Sequence, residues 1–150
     1  QHYETICGGS GAGDGFDGAS AVHSHMTNTR MTDPEVLEAR FPVRIRRFAI
    51  RDGSGGAGRF RGGDGIRRTL EVRGEAATVS LLTERRRHTP WGLDGGEDGA
   101  PGRNAVARDG DEEELPPKAT VRLLHGDRLV VETPGGGGHG PVAFADEASP

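Results

Sequence analysis

Glycine limits what this chain can build more than any other feature. It supplies 26 of 150 residues, against a usual share of about 7%. The glycines come in clusters at 8–18, 53–65, 92–102 and 135–140. They follow no collagen-like period, and apolar, strand-like runs separate the clusters, so wholesale disorder is rejected. What remains is a set of short strands joined by loops whose backbone only glycine tolerates. Hydrophobic residues make up 32% and aromatics 5% of the chain. A core drawn from so few large side chains is thin, and the chain is expected to need partner surface.

The apolar patterning places the elements. Tyr3-Glu4-Thr5-Ile6-Cys7 is a short strand candidate. Residues 23–34 are polar, with little to bury and many groups to offer a ligand. Thr32-Asp33-Pro34-Glu35 starts a short helix near 33–41: Thr32 or Asp33 caps it, Pro34 suits its first turn, and Phe41-Pro42 ends it. Residues 43–51 read as a strand in which Val43 and Ile45 differ in parity from Phe48 and Ile50. A bulge near Arg46-Arg47 would return all four to one face. Strands are expected around Ile66, Leu70 and Val72, and around Ala77, Val79 and Leu81. Asn104-Ala105-Val106 makes a short strand at best, and 109–114 reads as an acidic turn. Residues 119–123 and 128–133, separated by His125-Gly126-Asp127, read as a hairpin. The expected fold class is mainly β, a β-dominated α+β arrangement of short strands with Gly-rich loops and one short helix. One domain spans 1–142, with a loose tail at 143–150. The opening Gln1-His2-Tyr3 reads like the middle of an element, which suggests a piece of a longer protein.

Charge and cysteine narrow the function classes. Formal net charge is −4, with both signs interspersed, so no basic face for nucleic acid stands out. The 18 Arg and one Lys are spread along the whole chain. The single Cys7 excludes an intrachain disulfide and a Cys-based zinc cluster, and agrees with a reducing, cytoplasmic setting. No apolar run approaches the ~18 residues of a membrane span.

Several local patterns invite chemistry. Gly13-Asp14-Gly15-Phe16-Asp17-Gly18 and Gly53-Ser54-Gly55-Gly56-Ala57-Gly58 match a dinucleotide fingerprint by spacing, but neither opens a helix. The lone Lys118 rules out a Walker A loop in these residues. His23-x-His25 could face one metal if extended, although hydrogen-bonded surface histidines are the commoner outcome. Asp33, His88 and His139 could complete such a site only if the fold gathers them. Arg85-Arg86-Arg87-His88 could hold an anion, but reads better as a solvated strand end beside Glu84 and Asp94. For 135–138 a ligand-hugging loop and a flexible linker stand level.

Five segments taken together resemble the hydantoinase B/5-oxoprolinase family. They are His23-Ser24-His25-Met26-Thr27-Asn28-Thr29-Arg30-Met31-Thr32-Asp33-Pro34-Glu35; the run from Gly53 through Gly55-Gly56 to Gly62-Gly63-Asp64-Gly65; Leu82-Thr83-Glu84-Arg85-Arg86; Gly95-Gly96-Glu97 with Gly99, Gly102 and Asn104; and Thr133-Pro134-Gly135-Gly136-Gly137-Gly138-His139-Gly140. They cover roughly residues 3–140 in order, and the first looks more like the 5-oxoprolinase branch. The resemblance implies the C-terminal part of an ATP-dependent enzyme that opens a cyclic amide. It also implies a hydantoinase A-like subunit or domain that handles ATP, a divalent metal in common use, an oligomer, and a piece inactive by itself. A lactam carbonyl is a poor electrophile; phosphorylating its oxygen makes a leaving group, and water then attacks with help from a base and from donors to the developing charge. His23 and His25 are the candidate acid/base or ligand groups, and Asn28 and Arg30 would orient a carboxylate or phosphate. Alternatives are an N-methylhydantoinase B subunit, an acetone or acetophenone carboxylase-type subunit, and a non-catalytic assembly segment.

Overall fold

The computed structural model describes residues 1–24 and 28–142. The expected tail at 143–150 lies outside the described residues. The elements are α1 (Pro34–Arg40), β1 (Val43–Ile50), β2 (Ile66–Val72), β3 (Ala76–Leu82), β4 (Arg103–Arg108), β5 (Asp111–Leu115), β6 (Lys118–Leu124) and β7 (Arg128–Glu132). Five strands form one antiparallel sheet in the order β1-β2-β7-β4-β5, and β3 pairs with β6 in a separate ribbon. The fold is therefore mainly β with one short helix.

The ribbon covers one face of the sheet. Its period-2 patterning turns Ala77, Val79 and Leu81 of β3 and Val121 and Leu123 of β6 toward Val72, Val106, Leu129 and Val131. Leu123 and Val72 are fully buried. On the ribbon's outer face Ser80 and Thr120 share a hydroxyl hydrogen bond of 3.0 Å. The sheet's other face carries an arginine–glutamate layer. Glu71 accepts from Arg46, Arg73 and Arg128, and Arg67 and Arg103 both reach Glu112 and Glu132. The stems of these long side chains shelter Val130 and Ala105 from water.

Several local expectations hold. The register of β1 shifts between Ile45 and Arg47, which brings Val43, Ile45, Phe48 and Ile50 onto one face, although Phe48 and Ile50 stay about half exposed there, so the face is not the buried one expected. Asp33 caps α1, its carboxylate accepting from the Glu35 N–H at 2.9 Å, and Phe41 closes the helix in extended backbone. Three others are corrected. The turn Leu124–Asp127 forms, but it hands the chain from the ribbon to the sheet, so β6 and β7 are not a hairpin. The inward apolar residues of β6 and β7 serve opposite layers of one core. Of 109–114, read as an acidic turn, only 109–110 turn; Asp111–Leu115 is the edge strand β5 paired with β4, where Arg67, Arg103 and Arg108 offset the carboxylates and charge suits an exposed edge. Residues 3–7 form no strand. Glu4 holds this segment through the buried Arg68 and the Thr32 N–H, instead of a backbone ladder.

The glycine clusters explain their own number. The exit of β1, the entry of β2, the exit of β7 and the entry of β4 lie at one end of the sheet. The loops leaving there stack as extended backbone against one another. Gly56 N–H donates to Gly136 O at 2.8 Å, Gly136 N–H to Gly63 O at 2.8 Å, Gly63 N–H to Ser10 O at 2.9 Å and Gly138 N–H to Glu97 O at 2.9 Å. A Cβ on Gly136 would lie 1.8 Å from the Ser10 carbonyl oxygen, and one on Gly62 2.0 Å from that of Gly136. The segment 135–138 is buried and is no flexible linker. It is the middle layer of a slab in which the backbone replaces side chains.

Candidate functional site

Both flanks of the polar segment meet residues 4–8. Val22 bridges to Gly8, Thr32 N–H donates to Glu4 at 3.4 Å, and the Cys7 thiol rests 3.8 Å from the Met31 sulfur. Burial raises the Cys7 pKa, so it is a packed thiol and no nucleophile. Glu4 in turn pairs with Arg68, whose guanidinium sits 5.7 Å from the Phe48 ring centroid. Burial lowers the Arg68 pKa and Glu4 opposes it.

Of the four candidates, His23 has both ring nitrogens enclosed without a hydrogen-bond partner among the described residues. Such a group is available to a ligand, since buried polar atoms are otherwise satisfied. His25 lies outside the described residues. Asn28 and Arg30 are exposed on the loop leading to α1, and among the described residues neither makes an ion pair or hydrogen bond. The structure thus places His23, Asn28 and Arg30 on one segment without knitting them together.

Among the described residues no three of His, Cys, Asp and Glu gather. Asp33 is used as a cap, His88 is exposed, and His139 meets Asp94 at 3.0 Å. No step is therefore routed through a metal held by these residues. The glycine loops are poor phosphate cradles for the same kind of reason: most of their N–H groups already bond neighbouring carbonyls.

Two features carry more than the sequence indicated. Asp64, within Gly62-Gly63-Asp64-Gly65, accepts from Gly55 N–H at 2.7 Å and from both terminal nitrogens of Arg61. Burial pushes its pKa up, but Arg61 and the Gly55 N–H outweigh this and hold it low. Its motif was visible; its partners, brought together by the slab, were not. The second is the arginine run, which is not a solvated strand end. Burial and nearby Arg51 push Arg86 down to about 10, and it donates to Asn104 at 3.0 Å and to the Glu84 carbonyl at 2.7 Å. Arg85 adopts φ +57° and stacks 4.2 Å from the Trp91 ring centroid. Arg85 and Trp91 border a groove of ≈ 340 Å3 floored by 135–138. Only Arg87 and His88 of the run are exposed.

Among the described residues no helix is long and apolar enough to cross a membrane. Comparison with known proteins places this architecture. The 5-oxoprolinase 1 of Arabidopsis thaliana is 50% identical over 140 residues, which cover 93% of this chain and 11% of that protein. The crystal structure of an ATP-dependent caprolactamase from Pseudomonas jessenii superposes with a TM-score of 0.80 at 30% identity, over 91% of this chain and 25% of its own. A nucleotide-free acetone carboxylase structure shares the fold, with a TM-score of 0.72 at 22% identity over 90% of this chain and 22% of its own. The family model described as hydantoinase B/oxoprolinase matches residues 1–142. With that match over nearly its whole length, the chain belongs to the hydantoinase B/oxoprolinase family.

Proposed function

We propose that this chain is part of an ATP-dependent cyclic amide hydrolase that opens 5-oxoproline to glutamate. The observation that carries the reading is the 50% identity to a plant 5-oxoprolinase across 93% of the chain. The chain spans 11% of that relative, so the remaining activity belongs to further residues or subunits, in a cytoplasmic assembly with a hydantoinase A-like ATP-binding part. ATP would supply a phosphoryl group to the lactam oxygen, which makes the ring carbon electrophilic; one water would add there and the C–N bond would break as the ring nitrogen takes a proton, and a second water would release phosphate from the resulting acyl phosphate. The residues of this chain act on the activated ring. His23, its ring nitrogens enclosed and unpartnered among the described residues, is suited to take the proton from an attacking water or return one to the leaving ring nitrogen. His25 shares that role, and Asn28 and Arg30, exposed on the loop leading to α1, orient the carboxylate or phosphate.

The test is an assay of the intact protein with ATP and 5-oxoproline, reading glutamate formed per ADP released. Coupled release is expected, and His23→Gln is expected to lower turnover by about 10²-fold or more with assembly unchanged. Ring opening of a hydantoin in place of 5-oxoproline would move the chain to the N-methylhydantoinase branch; bicarbonate-dependent carboxylation of a ketone would move it to the carboxylases. Wild-type turnover in both His23→Gln and His25→Gln would leave the polar segment a structural role.

A further inference from the structure

We propose that the groove between Arg85, Trp91 and the glycine slab is a binding site for a carboxylate borne on a small apolar body. The floor is the backbone of 135–138, one wall is Gly9, Gly11 and Ala12, and the other is Pro90, Trp91 and Leu93. In a slab whose glycine N–H groups are otherwise largely paired, those of Gly11 and Gly137 find no acceptor among the described residues. Their direction is set by peptide geometry. In a trans peptide C=O and N–H point opposite ways, and the chain has no cis bonds. The Ser10 carbonyl accepts from Gly63, and the Gly136 carbonyl from Gly56. The next N–H in each case, that of Gly11 and of Gly137, therefore faces away from the loop 53–65. That loop contributes nothing to the groove lining, whereas Gly11 and Gly137 both belong to it. Two backbone donors thus emerge on the groove side, and Gly137 is buried, where an unpaired N–H calls for an acceptor.

Arg85 adds the charge. Its guanidinium carbon lies 4.2 Å from the Trp91 ring centroid and one terminal nitrogen donates to the Thr89 carbonyl at 3.2 Å. No carboxylate among the described residues pairs with it, and its other N–H groups are free for an anion. The nearby Asp98 is engaged by Thr89 and by Gly92 N–H. One guanidinium and two neutral donors match a single negative charge. The Trp91, Pro90, Leu93 and Pro134 surfaces suit an apolar ring, and the groove is of small-ligand size. The choice of 5-oxoproline as ring rests on the proposed hydrolase activity; the carboxylate assignment does not.

Trp91 is the one Trp of these 150 residues and reports on the groove. The experiment compares emission of the intact wild-type protein with Trp91→Phe, so that the difference isolates Trp91, while 5-oxoproline, its uncharged amide, acetate and inorganic phosphate are titrated without ATP. Saturable change with 5-oxoproline and none with the amide is expected. Arg85→Gln is expected to weaken the response by about tenfold or more, with Arg85→Lys partly retaining it and the melting temperatures of both unchanged. Response to acetate but not to 5-oxoproline supports the carboxylate and assigns it to an Asp or Glu side chain of a neighbouring polypeptide. Equal binding of the amide, stronger binding of phosphate, or wild-type affinity in Arg85→Gln overturns the proposal. Absence of glutamate formation with an intact Trp91 response would sink the hydrolase reading and leave this site standing.

Discussion

Glu71 lies on β2 with its side chain almost wholly covered, yet it is charged. Arg46, Arg73 and Arg128 converge on it. The Arg46 hydrogen bond, then that of Arg73, lowers its pKa from 4.5 to about 2. A carboxylate whose folded pKa is depressed contributes stability that is fully present above its unfolded pKa, and loses it as pH falls through the folded pKa. Glu71 therefore supports the fold above about pH 4.5 and ceases to do so as pH approaches 2. Thermal melts of wild type and Glu71→Gln should differ most above about pH 5 and converge toward about pH 2. A constant difference across that window would show that Glu71 acts through packing alone. The same residue illustrates why a lone glutamate in a strand of arginines is not legible as a partner: Arg46 and Arg128 lie 25 and 57 residues away along the chain.

At the scale of elements, the glycines divide into two kinds that sequence cannot distinguish. Gly126 sits in a turn at φ +86° with nothing within 4 Å of a would-be Cβ. Its need for glycine is local and conformational, and Gly126→Ala should cost about 1–2 kcal/mol. Gly136 is different: a Cβ there would meet the Ser10 carbonyl at 1.8 Å, so two backbone segments must separate to admit it. Gly136→Ala should cost more than about 4 kcal/mol or prevent folding, in the class of overpacked and network-breaking substitutions. Denaturant midpoints of the two variants read the contrast directly, and equal midpoints would contradict the slab as a packed layer. The bulge in β1 belongs to the same scale but was legible, because the parity change of Val43 and Ile45 against Phe48 and Ile50 is written in the order of residues.

Over the whole molecule, two thin layers share one small core. Leu123 enters it from the ribbon and touches the sheet, so it holds the layers together; Leu123→Ala should cost about 2–5 kcal/mol. An unchanged denaturation midpoint would place the stability in the slab and not in the layer contact. The slab itself supplies what few large side chains could not: close backbone contact, with hydrogen bonds across four loops distant in sequence. Apolar side chains nonetheless remain outside, including Leu82 at 79% and Trp91 at 61% exposure. The chain spans 11% of its plant relative.

The order of the residues by itself determined the β class, the helix at Asp33-Pro34, the β1 bulge and the family, because each depends on neighbours in sequence or on motifs in series. Only the tertiary structure decided that β6 and β7 part into different layers, since alternation tells which side chains turn inward but not which sheet they face. It also decided that 111–115 becomes an edge strand, because the arginines that neutralise it come from β2 and β4. It enclosed His23, seated Arg85 on Trp91 and freed the N–H groups of Gly11 and Gly137, all consequences of four glycine loops meeting at one end of a sheet. A glycine states that a backbone can come close; what comes close to it is fixed by residues dozens of positions away.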